Sequence, residues 1–271
     1  YSEYQRHRGQ METEAEMTAS AKALMAKHDW KGAVIELKST AQKYPRSSEV
    51  RYLLGSALLS GGDPASALIE LQKARDLGAD HDDLMPVLAK AMLSNGQYTN
   101  VVDGFGDTVL KDRRAMAELK NQVAWAYYRL GRGDRWESAV AAALQSDPKN
   151  EGARIQRALM LARDGKFDDA LGLTNAVLAD NPKQLDAWVL KGQLLWGGKS
   201  DLDGASDAFR KALAVDARFV PAHIALLNLL QQRGMLAAFR AQVGQLKKVL
   251  PDAFETRYYE TQLALLDNDL V

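Results

Sequence analysis

A glycine-rich run, Gly197-Gly198-Lys199-Ser200, has the residue types with which proteins hold phosphate groups. In a phosphate-binding loop, backbone amides and a lysine contact the phosphate oxygens, and the loop follows a strand. That loop also needs a glycine five residues before its Gly-Lys pair, where this chain has Gln193 in a helical pattern. The run is therefore interpreted as a turn between helices, and no nucleotide or other cofactor is predicted.

The adjoining run, Asp201-Leu202-Asp203-Gly204, has part of the oxygen-ligand pattern of a calcium loop. Lys199 stands where another acidic or amide residue is needed, so Asp201 or Asp203 is predicted to cap a helix instead. The chain has no cysteine, and no two histidines share a helix face. The histidines are His7, His28, His81 and His223. No metal site or catalytic residue is predicted, and an enzyme is not expected.

A third set, Asn121, Trp125, Tyr128 and Arg129, has the spacing i, i+4, i+7, i+8, which places the side chains on one helix face. Aromatic rings beside an arginine suit the recognition of a peptide, because Trp, Tyr and Arg carry much of the binding energy of protein interfaces. The same rings would suit stacking on a sugar. They would equally suit filling the gap between neighbouring helices, and the sequence leaves these interpretations open.

The overall charge is balanced, since Lys+Arg and Asp+Glu both number 35. A chain without a basic excess gives no indication of a nucleic-acid partner. No run of apolar residues is long enough to predict a membrane span. The first residues, YSEYQRHRGQ, lack the apolar segment of a signal peptide, so any targeting segment is expected upstream.

The clearest local pattern is a helical hairpin over residues 151–184. Apolar residues recur at helical spacing in both of its halves. Asp164-Gly165 predicts the break between the helices, and Asn181-Pro182 predicts the end of the second one, because proline cannot continue a helix interior. Such a hairpin cannot bury its apolar faces alone, so similar hairpins are expected beside it.

Proline positions give the period of these hairpins. Pro148 and Pro182 are 34 residues apart, and Pro45 and Pro251 lie near whole multiples of that period from them. Two spare residues are expected as insertions, one near Met116 and one in the turn from Gly197 to Gly204. After an N-terminal extension over 1–13, the predicted repeats are 14–47, 48–81, 82–115, 117–150, 151–184, 185–219 and 220–253, with a further helix over 254–271.

A period of 34 residues with two helices per unit resembles the tetratricopeptide-repeat family. The resemblance covers residues 14–253 and implies an all-α, right-handed α-solenoid of about seven hairpins plus a C-terminal helix. It also implies that the first helices line a concave face that binds proteins or peptides. The third, fourth and seventh repeats match less well, because Val101, Trp136 and Phe239 stand where the family has a small residue.

The first three repeats have a narrower resemblance, carried by residues 30–45, 51–80 and 84–98. These segments look like the amino-terminal part of the tetratricopeptide-repeat lipoproteins of bacterial PEP-CTERM and exopolysaccharide systems. That family implies a periplasmic protein, anchored in the outer membrane by a lipid upstream of this chain. It also implies work beside polysaccharide export and exosortase-dependent protein sorting.

The positions that line the concave face in the family select a set of candidate partner-binding residues. They are Asn121, Trp125, Tyr128, Arg129, Arg163, Gln193, Trp196 and Asn228. The expected function is a non-enzymatic scaffold that holds a protein or peptide in this groove, within an exopolysaccharide or PEP-CTERM system. The alternatives are a module that binds glycans directly and a generic peptide-binding adaptor.

Overall fold

The computed structural model describes residues 13–268, and over that range the only regular elements are α-helices. The predicted all-α class is therefore confirmed. The extension over residues 1–12 and the last three residues of the predicted C-terminal helix lie outside the described range. The helices are α1 (Glu14–Ala26), α2 (Trp30–Lys43), α3 (Ser48–Ser60), α4 (Pro64–Asp76), α5 (His81–Ser94), α6 (Tyr98–Phe105), α7 (Arg113–Arg129), α8 (Gly133–Ser146), α9 (Glu151–Arg163), α10 (Phe167–Asp180), α11 (Leu185–Lys199), α12 (Leu202–Val215), α13 (Val220–Gln232), α14 (Leu236–Val249) and α15 (Phe254–Asn268).

The helices pack in sequential pairs, and each pair contacts the next pair along the chain within a compact unit. Unit 1 ends at Asn150 and contains α1 to α8, whereas unit 2 begins at Glu151 and contains α9 to α15. The division into seven repeats and the superhelical arrangement remain predictions. Among the described helices, none combines the length and the apolar character that crossing a membrane requires.

The two units have cores of the same kind, in which alanines and glycines of one helix face large side chains of its neighbour. In unit 1, Leu37, Val50 and Leu54 are buried in one cluster. In unit 2, Phe209 and Phe239 are fully buried among leucines of α13 and α14. Small residues let paired helices approach closely, and the large side chains then fill the remaining space at crystal-like density.

The start of α12 confirms one prediction made from the sequence. The carboxylate of Asp201 accepts a hydrogen bond from the backbone N–H of Gly204 at 2.9 Å. Asp29 and Asp63 bond in the same way to the third residue of α2 and α4. A carboxylate at this position satisfies one of the unpaired N–H groups of the first turn. The half-pattern of a calcium loop is therefore a helix cap.

The predicted turn from Gly197 to Gly204 is wrong. Gly197 and Gly198 lie inside α11, Gly204 lies in α12, and only Ser200 and Asp201 connect the two helices. α11 has 15 residues, against 13 in α9, because one extra residue enters the helix and the connection after it is one residue shorter. Gly198 is needed there because a Cβ at this position would lie 2.4 Å from Cδ1 of Phe167.

The end of α11 has an unusual backbone. Ser200 has a φ of 54°, in the left-handed region, where the corresponding turn of the preceding pair has Gly165 with a φ of 76°. A residue with a Cβ is less stable in this region than glycine. The sequence thus places a serine where the fold favours a glycine.

Replacing Ser200 by glycine is expected to raise the free energy of unfolding by about 1 kcal/mol, because the left-handed backbone then carries no Cβ. The reverse change, Gly165→Ser, is expected to lower it by a similar amount and is the matched control. Urea unfolding followed by circular dichroism measures both values. A loss of stability in Ser200→Gly would contradict the strain argument.

The insertion expected near Met116 is also wrong. Met116 lies within the first turns of α7, which begins at Arg113. The spare length lies in the connection over residues 106–112, because α6 ends after eight residues at Phe105. The buried Lys120 of α7 donates to the carbonyl of Gly106 at 2.6 Å and so caps this short helix. Burial lowers the pKa of Lys120, although the charge of Asp107 opposes the change.

A half-buried ion pair joins α3 to α4. Arg51 donates to Glu70 at 2.8 Å, and the two side chains are 16% and 13% exposed. Burial alone raises the pKa of Glu70, but hydrogen bonds from Lys73 and Arg51, with their charges, outweigh it and hold the pKa below its usual range. A carboxyl group with a lowered pKa stabilises the fold above its usual pKa, and this contribution is lost as the pH falls through the lowered value.

Glu70→Gln is expected to lower the free energy of unfolding by about 1–3 kcal/mol at neutral pH, because Arg51 keeps its charge without a carboxylate partner. The difference between wild type and variant is expected to shrink as the pH falls below the ordinary pKa of a glutamate and through the lowered pKa of Glu70, because Glu70 then becomes protonated in the wild type as well. Urea unfolding at several pH values tests this. A difference that stays constant with pH would contradict the ionic origin.

Candidate partner-binding site

Three aromatic rings on α7 and α8 form a cluster, here called the aromatic platform, of Trp125, Tyr128 and Trp136. The Trp125 and Tyr128 rings meet edge to face with centroids 5.6 Å apart. The Tyr128 and Trp136 rings are tilted, with centroids 4.8 Å apart. Trp136 is 4% exposed, Trp125 is half-buried, and Tyr128 is 46% exposed. A buried indole therefore holds an exposed tyrosine ring at the surface.

The geometry of the platform follows from the helix positions. Trp125 and Tyr128 are three residues apart on α7 and lie on adjacent turns of one face. Trp136 belongs to the first turn of α8, at the position where the other second helices carry a small residue such as Ala67 or Ala170. The indole fills the space between the paired helices, so the phenol of Tyr128 packs over it and stays outside the core.

A positive charge lies beside the platform. The guanidinium carbon of Arg129 lies 4.8 Å from the centroid of the Tyr98 ring, at the start of α6, which is a cation–π geometry. Arg129 is exposed. Within residues 13–268 it forms no ion pair, so its planar N–H groups can donate to an incoming carboxylate or carbonyl.

The prediction that Asn121 is a partner-binding residue is wrong, because the Asn121 side chain is only 5% exposed. The reason is the packing of α7, which lies against α5, α6 and α8. All residues from Leu119 to Ala124 are buried, whereas α7 is exposed at Arg113 and Arg114 and again in its last turn. Helical spacing correctly relates Asn121 to Trp125, but the spacing does not show where the covering helices end.

The other predicted residues belong to unit 2. Arg163 and Gln193 are exposed at the surface, and Arg163 donates to Asp164 at 3.0 Å. Trp196 is half-buried against the core of the unit. Asn228 is exposed, and its side-chain oxygen accepts a hydrogen bond from the hydroxyl of Tyr259 at 2.9 Å. That bond orients the amide of Asn228, so its NH2 group can donate elsewhere.

The structure therefore brings together Trp125, Tyr128 and Arg129 from the predicted set. It adds Trp136 and Tyr98, which sequence reasoning did not place in the site. The signal for Trp136 was present, since a tryptophan at a position for a small residue departs from the repeat pattern. For Tyr98 no comparable signal exists, because its contact with Arg129 depends on the short α6.

A cavity of about 380 Å³ lies near the starts of α5 and α7 in unit 1. Its carboxylates serve the fold: Asp82 accepts from the backbone N–H groups of Lys111 and Asp112, and Asp112 caps α7. Among the described residues, no group of three or more His, Asp or Glu is placed to hold a metal ion. The cavity is lined by Asp82, Asp83, Pro86, Asp112, Arg114, Ala115, Glu118, Asp147 and Asn150.

Comparison with known proteins identifies relatives of the repeats. A family model described as tetratricopeptide repeat matches residues 18–82 and 155–223. A tetratricopeptide repeat protein from Parabacteroides merdae ATCC 43184 is similar in structure, with 14% identity, a TM-score of 0.62 and coverage of 93% of this chain and 98% of that chain. No curated protein matches the chain.

A second similar structure is the APC/C hetero-tetramer Cut9-Hcn1, with 10% identity and a TM-score of 0.66. The alignment covers 90% of this chain and 48% of that chain. At these identities the likeness concerns the fold alone. The segment between the two family matches, residues 83–154, contains the whole aromatic platform with Tyr98 and Arg129.

Proposed function

We propose that this chain, a protein of the tetratricopeptide-repeat family, is a scaffold without catalytic activity that binds a protein partner through the aromatic platform. Proteins built from these repeats are typically non-catalytic scaffolds. The observation that carries the proposal is the exposed ring of Tyr128, held on the buried Trp136 and next to the cation of Arg129. Tyr, Trp and Arg dominate the energetics of protein interfaces, and a ring already held in place loses little conformational freedom on binding.

Trp125→Ala and Arg129→Glu are each expected to weaken binding of a co-purifying partner by about tenfold or more, as for central residues of an interface. Helicity is expected to persist, because both side chains are at least partly exposed. The measurement is co-purification with each variant, followed by titration of the isolated partner. Arg135→Glu, which changes another exposed arginine in the same unit, is the matched control. Retention of every partner by both variants would place the binding surface elsewhere.

A glycan-binding module is a second candidate, favoured by the same exposed tyrosine ring beside a tryptophan. Sugar rings stack on aromatic faces, and Trp196 supplies a half-buried indole in unit 2 for a separate sugar contact. Titration with polysaccharide fragments while tryptophan fluorescence is followed tests this function. An unchanged spectrum, with Trp125→Ala behaving like wild type, would exclude it and leave the protein-binding scaffold.

For the cellular setting, we propose a periplasmic protein anchored by lipid in the outer membrane, acting beside an exopolysaccharide or PEP-CTERM sorting system. The support is the sequence resemblance of residues 30–98 described above. Fractionation of cells that make the full-length protein, combined with labelling by radioactive palmitate, tests the proposal. A cytosolic, unlabelled protein would contradict it and favour a generic peptide-binding adaptor.

A further inference from the structure

Two lysines of unit 2 share one tryptophan ring. The ammonium nitrogen of Lys191, on α11, lies 5.5 Å from the centroid of the Trp188 ring, and that of Lys211, on α12, lies 5.0 Å from it. The indole N–H of Trp188 donates to the carbonyl of Pro182 at 2.8 Å. This bond, and the packing of Trp188 against the core, hold the ring in place, and both ammonium groups lie within cation–π distance of it.

Over residues 13–268, the two cations have no anionic partner of their own. Within the described residues, neither Lys191 nor Lys211 forms an ion pair or a hydrogen bond with a carboxylate. Asp207, one turn before Lys211 on α12, does not pair with it either. By contrast, Lys199 and Lys247 of the same unit each pair with a carboxylate, Asp168 and Glu260 respectively. The pair is therefore a local concentration of positive charge in a chain whose charges otherwise balance.

This arrangement places like charges close together. Burial lowers the pKa of Lys191, and the charge of Lys211 lowers it further. An anion bound beside the two ammonium groups would relieve their repulsion. Lys211 is exposed and Lys191 is half-buried, so one cation is accessible and the other is partly dehydrated, which strengthens its attraction for an anion.

We propose that Trp188, Lys191 and Lys211 form an anion-binding surface for the carboxylate or phosphate groups of an acidic protein segment. A nucleic acid or an anionic membrane requires a longer basic stripe than two lysines provide. An acidic segment needs only a local match of charge, and the apolar face of Trp188 offers contact to its aliphatic groups. The surface lies on α11 and α12 of unit 2, so the proposal does not depend on the aromatic platform of unit 1.

The test uses fluorescein-labelled peptides of equal length that alternate glycine with glutamate, with phosphoserine or with glutamine. Fluorescence anisotropy with the full chain is expected to show binding of at least one anionic peptide, weakening with added salt, and weaker or undetectable binding of the glutamine peptide. The double variant Lys191→Gln/Lys211→Gln is expected to weaken anionic binding by about tenfold or more. Binding of the glutamate peptide identifies carboxylates as sufficient, whereas binding of only the phosphoserine peptide identifies phosphate.

The matched control is Lys247→Gln, which removes a lysine that already has a carboxylate partner and is expected to leave binding unchanged. Circular dichroism and urea unfolding establish that the variants remain folded. Equal affinities of the double variant and wild type for the anionic peptides would overturn the proposal. It would also be overturned if wild type bound the anionic peptides no more tightly than the glutamine peptide.

Discussion

Gly192→Ala is expected to lower the free energy of unfolding by about 2 kcal/mol, because the added methyl group meets a closely packed core. The same replacement at Gly197, later in α11, is expected to raise it by about 0.5–1 kcal/mol, because alanine loses less conformational entropy than glycine in a helix. Replacing glycine by alanine in α11 is thus expected to lower the free energy of unfolding at Gly192 and to raise it at Gly197. Chemical unfolding of both variants measures the difference.

The difference arises from the neighbours of the two glycines. A Cβ at Gly192 would lie 2.2 Å from Cε1 and 2.6 Å from Cδ1 of Phe209, distances at which the ring must move. Phe209 is fully buried in the core of unit 2, so the ring has no space into which it can rotate. A Cβ at Gly197 would meet no heavy atom within 4 Å.

A second substitution tests whether steric conflict with Phe209 causes the loss of stability in Gly192→Ala. In the Gly192→Ala background, Phe209→Leu removes the ring atoms that the new methyl group meets. The double variant is therefore expected to be more stable than the sum of the two single changes predicts, since contacting residues show coupled effects. Additive losses, or equal changes at Gly192 and Gly197, would contradict the proposed contact.

The elements of the fold could be predicted from local patterns, and the failures occur where a residue has a tertiary role. Asp164-Gly165 predicts a turn, and the structure has one there, because a glycine in the left-handed region ends the preceding helix. Gly197-Gly198 predicts a turn for the same reason, yet both residues are helical. Gly198 serves the approach of Phe167 rather than a turn, and a single sequence does not contain that contact.

The candidate site, too, could be predicted from local patterns but not where it depends on contacts between helices. Trp125, Tyr128 and Arg129 were predictable because they share a helix face, and that face is determined by spacing alone. The burial of Asn121 depends on α5, α6 and α8 together, and the position of Arg129 over Tyr98 depends on α6 ending early. Both depend on contacts between helices that periodicity does not describe.

Trp136 belongs to the core of unit 1 and also packs on Tyr128 of the candidate site. Of the substitutions considered, Trp136→Ala is expected to lower the free energy of unfolding most. Removing a buried indole is expected to lower the free energy of unfolding by about 3–5 kcal/mol, because a cavity remains where its ring packed. Trp125→Ala, at a half-buried ring of the same platform, is the control and is expected to cost about 1–2 kcal/mol. Urea unfolding followed by circular dichroism measures both.

For partner binding by the folded proteins the order is reversed, and Trp125→Ala is expected to weaken binding more than Trp136→Ala. Trp125→Ala removes a ring that a partner can contact, whereas Trp136 is 4% exposed and acts by supporting Tyr128. Trp136→Phe keeps an aromatic ring beneath Tyr128, so it is expected to restore most of the binding that Trp136→Ala loses. Equally weak binding by Trp136→Phe and Trp136→Ala would contradict the argument that an aromatic ring beneath Tyr128 supports the site.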